Sequence, residues 1–139
     1  MPKWRKTIAG AAIAALLASC GVSESLDNAE AEVDAFHAEL DSGQFDAIWD
    51  QASTELTGTA KKEQFETLLA AIHRKLGNVK SSERTEWKAE ANLDGKFVFV
   101  RMQTSFEKGS GTEQFVFRNK DERLSLAGYH IESTDLMVN

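Results

Sequence analysis

The sequence is poor in residues that cross-link or interrupt a chain, because its 139 residues include only one cysteine and one proline. A single thiol excludes a miniprotein held together by disulfides, and it also excludes a Cys-x-x-Cys metal or redox site. The chain has no internal repeat or low-complexity tract, and its 42% apolar share suffices for a packed core. These features predict one modest folded domain rather than a multidomain enzyme or a disordered chain.

Basic residues are also scarce, and three of them stand at the N-terminus. Lys3, Arg5 and Lys6 precede an uncharged, largely apolar run, Ile8 to Leu17. This order is typical of a secretory signal peptide, and the run is shorter than the roughly 20 residues that a membrane-spanning helix needs. Removing residues 1–19 leaves 13 basic against 22 acidic side chains, a formal charge of -9. Such a balance disfavours nucleic acid as a partner, because phosphate binding requires clustered Lys and Arg.

The only cysteine follows the apolar run in the segment Leu17-Ala18-Ser19-Cys20. This tetrapeptide resembles the lipobox of bacterial lipoproteins. The resemblance implies cleavage between Ser19 and Cys20, a diacylglycerol on the Cys20 sulfur and acylation of the new N-terminus. Several acyl chains make membrane attachment effectively permanent. In a Gram-negative host Gly21, which is not Asp, would favour the outer membrane, so we expect a lipid-anchored protein of the cell envelope that faces the periplasm.

These motifs divide the chain into a signal peptide at 1–19, a lipidated cysteine and short tether at 20–26, and a single domain at 27–139. When extended, Gly21 to Ser25 would reach only about 17 Å, which keeps the domain close to the bilayer. The alternative is a retained anchor, or an ordinary signal peptide with an incidental cysteine.

The first half of the domain shows the periodicity of amphipathic helices. A helix is predicted from Leu26 to Leu40, with Ser42-Gly43 as its stop. A shorter helix is predicted from Gln44 to Ala52, and a third from about Thr59 to Leu76, where Gly77 follows as a C-terminal stop.

After Asn78 the apolar period changes from 3.6 to 2, which predicts four strands joined by three turns. Pairing across these turns places Trp87 opposite Met102, Met102 opposite Phe117, and Leu124 opposite Phe117. One apolar face results. Its members are Thr85, Trp87, Ala89, Ala91, Val98, Val100, Met102, Phe106, Phe115, Phe117, Leu124 and Leu126.

An apolar sheet face must be covered, and the preceding helices can cover it, so we predict an α+β fold. The element order, together with the segment Gly43-Gln44-Phe45-Asp46-Ala47-Ile48-Trp49, resembles the nuclear transport factor 2-like superfamily over about residues 27–133. With the lipobox, the chain also looks like small bacterial lipoproteins of unknown function in that superfamily. The resemblance implies helices packed on the concave face of a curved four-stranded antiparallel meander, which together form a cone.

The superfamily includes ketosteroid isomerase and polyketide cyclases, which use carboxylates, His or Tyr in the pocket of the cone. In the predicted register Glu113 and His130 face the concave side near its mouth, where a carboxylate and an imidazole could converge as a general base. The alternative is an exposed pair at the sheet margin. The candidate pocket residues are Trp87, Met102, Phe117, Glu113 and His130. We assign no catalytic residue, metal or cofactor, because the sequence has no nucleophile elbow and no His-Glu-x-x-His motif.

The outer sheet face carries a candidate interface, formed by Phe97, Phe99, Val116 and Tyr129. An apolar strip rimmed by Arg and Gln is typical of a surface that pairs with a second copy or with an envelope protein. Alternatively, long side chains such as Lys88 cover the rings.

The leading hypothesis is a non-enzymatic, membrane-anchored module that binds a small apolar ligand or a protein partner. A small isomerase- or cyclase-type enzyme is the first alternative, and a structural accessory subunit of an envelope complex is the second.

Overall fold

The computed structural model describes the backbone of residues 17–138 and the side chains of residues 24–138. The predicted signal peptide therefore lies mostly outside the described residues. The observed order of elements is α1 Leu17–Asp41, α2 Phe45–Asp50, α3 Thr54–Thr57, α4 Lys62–Leu76, β1 Val79–Asn92, β2 Gly95–Phe106, β3 Gly109–Lys120, β4 Arg123–Glu132 and α5 Thr134–Val138. The predicted α+β arrangement, with helices followed by a four-stranded antiparallel sheet, is confirmed.

Two helices end next to glycines with positive φ. α1 ends two residues before Gly43, which has a φ of 73°, and α4 ends directly before Gly77, which has a φ of 77°. Glycine has no Cβ, so it adopts these left-handed conformations at low cost. α1 includes the residues predicted to be a tether, and α3 and α5 are short helices that the periodicity did not indicate. None of the helices within residues 17–138 combines the length and apolarity needed to cross a membrane.

The sheet is a simple meander in the order β1-β2-β3-β4, and its three hairpins have shorter turns than predicted. The predicted partners were therefore wrong in detail, because each two-residue turn moves the register. Trp87 lies opposite Val100, Met102 opposite Glu113, and Phe117 opposite Val98. The β1–β2 and β2–β3 registers differ from the predicted ones by an even number of residues. An even shift leaves each side chain on its predicted face, so the predicted residues of β2 and β3 stay on the inner face, which packs against the helices.

The β3–β4 pairing contains an irregularity that the sequence did not reveal. Phe117 pairs with Leu126, but Val116 pairs with Gly128, so Ala127 is an extra residue on β4. Such a bulge changes the face on which all following side chains lie. Tyr129 therefore lies opposite Phe115 on the inner face, and His130 lies on the outer face. The predictions that Tyr129 faces outward and that His130 faces inward were wrong for this reason.

The core lies between the inner face of the sheet and the helices. Among the side chains of residues 24–138, seventeen apolar residues are buried in it. Five of them, contributed by α1 and α4, are fully buried: Val33, Leu40, Leu69, Ile72 and Leu76. Most of β1 stays exposed, including Thr85, Ala89 and Ala91, which were predicted on the covered face. Trp87 is the half-buried aromatic of β1 that packs against the core.

Candidate functional site

A buried polar cluster joins α1 to the sheet. Its members, which we call the Glu113 cluster, are His37, Thr104, Glu113 and Tyr129. Glu113 is fully buried on β3. Because side chains alternate between the two faces along β3, this carboxyl group lies on the same face as Phe115 and Phe117, which are also buried. A carboxyl group in an apolar core is costly unless hydrogen bonds replace its hydration.

Both carboxyl oxygens of Glu113 have partners. Oε1 accepts a hydrogen bond from the Thr104 hydroxyl at 2.5 Å, and His37 Nε2 lies 2.8 Å from the same oxygen. Oε2 accepts a bond from the Tyr129 hydroxyl at 2.6 Å. His37 donates to Oε1 in the ring form that carries a hydrogen on Nε2. Three elements of the sheet and one helix thus meet at one carboxyl group.

Aromatic rings surround the cluster and explain the behaviour of the tyrosine. The Phe36 ring centroid lies 4.7 Å from that of Tyr129, and the Phe115 centroid lies 5.1 Å from it. Tyr129 is half-buried as a residue, but its hydroxyl lies against the fully buried Glu113. Burial, and then the adjacent Glu113 carboxylate, raise the pKa of Tyr129 well above its usual value. The phenol therefore stays protonated and keeps donating to Glu113.

An open cleft lies on the other side of α1, between this helix, α2 and the β3–β4 hairpin. Its volume is about 940 Å³, and we call it the α1 cleft. The helix contributes a stripe at three- and four-residue spacing, which contains Asn28, Ala31, Glu32, Ala35 and Glu39. The floor is apolar and includes Phe36, Ile48, Phe117, Leu124 and Leu126.

The rim of the α1 cleft is mainly acidic. The charged residues that line it are Glu32, Glu39, Asp50, Lys120, Asp121, Glu122 and Arg123. Partial burial, and then the carboxylate of Glu39, raise the pKa of Glu32. Among the described side chains, no group of three or more His, Cys, Asp or Glu residues could hold a metal ion.

The structure brings together only some of the predicted pocket residues. Met102 and Glu113 are cross-strand partners buried in the core. Phe117 is buried on the same face and also contributes to the floor of the α1 cleft. Trp87 is half-buried on β1. His130 does not approach Glu113, since it lies on the outer face with 61% of its side chain exposed and pairs with Glu132 at 3.5 Å.

Three of the four candidate interface residues do share the outer face of the sheet: Phe97, Phe99 and Val116. Lys88 Nζ lies 4.7 Å from the centroid of the Phe99 ring, and the Arg118 guanidinium lies 5.2 Å from that of Phe97. These cations cover part of the apolar strip and gain a cation–π contact. Whether this surface binds a partner stays a prediction.

A protein-family comparison matches residues 32–129, which is more than two thirds of the chain. The chain belongs to the DUF4019 family. Its members are described as proteins of unknown function. The DUF4019 region extends from α1 into β4, and it contains all four members of the Glu113 cluster. No curated protein and no solved structure matches this DUF4019 chain.

Sequence reasoning found Glu113 but missed its three partners. His37 follows Val33 by four residues and precedes Leu40 by three, which places it on the buried stripe of α1. A histidine in that position signals a buried polar contact. Tyr129 gave no comparable signal, because its direction depends on the bulge at Ala127.

Proposed function

We propose that this DUF4019 chain is a lipid-anchored protein of the bacterial envelope. The proposal is supported by the order of Lys3, Arg5 and Lys6, the uncharged run from Ile8, and the Leu-Ala-Ser-Cys20 segment. A Cys20→Ser variant of the full chain should remain unprocessed and carry no acyl group by mass spectrometry. Normal maturation and membrane retention of that variant would contradict the proposal.

We further propose that the domain is a binding module whose site is the α1 cleft. Its volume of about 940 Å³ falls within the range of roughly 300–1,000 Å³ that small-molecule sites occupy. The apolar floor would bury the apolar surface of a ligand, and the charged groups of the rim would fix the orientation of the ligand. A small apolar ligand, or an apolar segment of a protein partner, fits this chemistry. The open cleft is the observation that carries the proposal.

The Glu113 cluster supports a structural role better than a catalytic one. Both oxygens of Glu113 already accept hydrogen bonds, and the residue is fully buried. A substrate would have to displace Tyr129 or His37 and open the aromatic contacts around them. The carboxyl group instead holds α1 against three strands. The isomerase or cyclase alternative therefore requires a large rearrangement of the core.

The kinship to the nuclear transport factor 2-like superfamily belongs to the same proposal. It is supported by the order of a long helix, short helices, a further helix and a four-stranded meander. This fold would place the helices over one sheet face and leave the other free for a partner, as an accessory subunit or a homodimer would need.

The cleft can be tested with N-phenyl-1-naphthylamine, an uncharged apolar fluorophore, on the acyl-free chain that starts at Gly21. We expect saturable binding with a blue shift of the emission. Ala35→Trp should weaken binding about tenfold, because Ala35 is exposed and lines the cleft. Ala38→Trp is the matched control, since Ala38 is also exposed on α1 and does not appear in the cleft lining. Equal affinities of the two variants would contradict the assignment.

A further inference from the structure

Two β-turns lie side by side at one end of the sheet. They are the β1–β2 turn at Leu93 and Asp94 and the β3–β4 turn at Asp121 and Glu122. β2 and β3 pair so that Lys96 lies opposite Asn119, and continuing that register brings Asp94 level with Asp121. Two strand spacings, about 10 Å, separate the turns. We call this surface the turn end.

α1 begins at the turn end. Glu24, Ser25 and Asn28 of α1 line a small cleft together with Asn119, Glu122 and Leu124. The helix runs from there to the opposite end of the sheet, where the Asp41 carboxylate accepts a hydrogen bond of 3.1 Å from the Val79 backbone N–H. Residue 20 also belongs to α1, five residues before Ser25, which corresponds to about 8 Å of helix. An acyl group on Cys20 would therefore hold the turn end next to the bilayer.

Leu93 stands alone at the tip of the first turn. Its relative exposure is 107%, whereas the other exposed large apolar side chains of the described residues reach 42% to 81%. The turn does not depend on this leucine, because the Asp94 backbone N–H donates a hydrogen bond of 2.8 Å to the Asn92 side chain. A fully exposed leucine that supports no fold contact gains free energy only by entering an apolar phase.

The turn end carries a small excess of negative charge. Three acidic and three basic residues lie in the two turns or within two positions of them: Asp94, Lys96, Lys120, Asp121, Glu122 and Arg123. Glu24 of α1 lies at the same end and adds one negative charge. Such a surface has no net attraction to an anionic membrane, so contact with zwitterionic headgroups suits it better. The leucine then supplies the apolar contact.

We propose that the turn end docks on the bilayer that holds the acyl anchor, with Leu93 in the headgroup region. This inference rests on the proposed lipidation of Cys20. The β3–β4 turn also forms part of the rim of the α1 cleft, so the cleft opens beside the bilayer. α5, with Met137 exposed at 81%, lies at the opposite end and faces away from the membrane.

The full chain, produced in a bacterium that lipidates it, provides the test. Because the acylated Cys20 would have no free thiol, Leu93→Cys introduces a single site for a bimane fluorophore. Met137→Cys is the matched control, an exposed apolar residue at the other end. In vesicles of phosphatidylcholine and phosphatidylethanolamine, nitroxide-labelled lipids should quench the Leu93 position at least threefold more than the Met137 position. Aqueous iodide should give the reverse order.

The outcomes separate the docking from the anchor. Mass spectrometry of the same preparation reports whether Cys20 is acylated. If it is acylated and iodide quenches both positions equally, the docking is refuted while the anchor stands. If it carries no acyl group, both proposals fail. A Leu93→Ser variant should unfold at the same urea concentration as the parent chain, which shows that the position reports on docking rather than on folding.

Discussion

The hydrogen bond from Tyr129 to Glu113 can be tested through pH. The phenol donates a hydrogen bond of 2.6 Å to Oε2, and burial together with that carboxylate raises the pKa of Tyr129 well above its ordinary value of 10.0. In the unfolded chain the phenol ionises at about pH 10, whereas in the folded chain it keeps its proton to a higher pH. The unfolded state then binds fewer protons, so the free energy of unfolding must fall as the pH rises through 10.

The size of the fall follows from proton linkage. One group with an unfolded pKa near 10 lowers the free energy of unfolding by about 1.4 kcal/mol at about pH 11 relative to neutral pH. Tyr129→Phe should cost about 1.5–3 kcal/mol at neutral pH, since Oε2 of a buried carboxyl group loses its donor. The variant should then lose about 1.4 kcal/mol less than the parent between neutral pH and pH 11.

Urea unfolding of both proteins at neutral and alkaline pH measures these differences, with the denaturant slope as a check that the same surface unfolds. Tyr129 is the only tyrosine in the sequence, so the ultraviolet absorbance of phenolate reports on this residue alone. Phenolate should appear only as the protein unfolds. A Tyr129 that titrates near pH 10 in the folded protein, or identical pH dependences of parent and variant, would refute the reasoning.

Three further predictions concern stability and association. Gly43→Ala should lower the free energy of unfolding by about 1–2 kcal/mol through backbone strain alone. Gly77→Ala should lower it further, because the added Cβ would also lie 3.0 Å from the Glu107 Cβ. Chemical denaturation of the two variants measures this difference. Leu69→Ala should cost about 2–5 kcal/mol in the same assay, since Leu69 is fully buried in the core. If the outer face self-associates, Phe99→Glu should convert the acyl-free chain to a monomer in size-exclusion light scattering, and a parent that is already monomeric at high concentration contradicts that prediction.

The helices and strands were predictable because their signals are local. The stripe that contains Val33, Phe36 and Leu40 requires only helical geometry, and all three residues are buried. Strand alternation likewise predicted the inner position of Val98 and Phe117. Turn length was less predictable, since Asp121 and Glu122 both adopt positive φ, of 52° and 64°, without a glycine. Residues other than glycine rarely do so, and the sequence therefore favoured a longer turn.

The bulge at Ala127 decides which polar side chains meet, and it depends on packing rather than on local preference. Without the extra residue, alternation from Leu126 would place His130 inside and Tyr129 outside. With it, Tyr129 reaches Glu113 and packs between Phe36 and Phe115. A phenol satisfies both requirements of that position, because its ring fills the aromatic layer while its hydroxyl serves the carboxyl group. The cost of leaving Glu113 short of a donor in the core thus favours the irregular strand over the regular one.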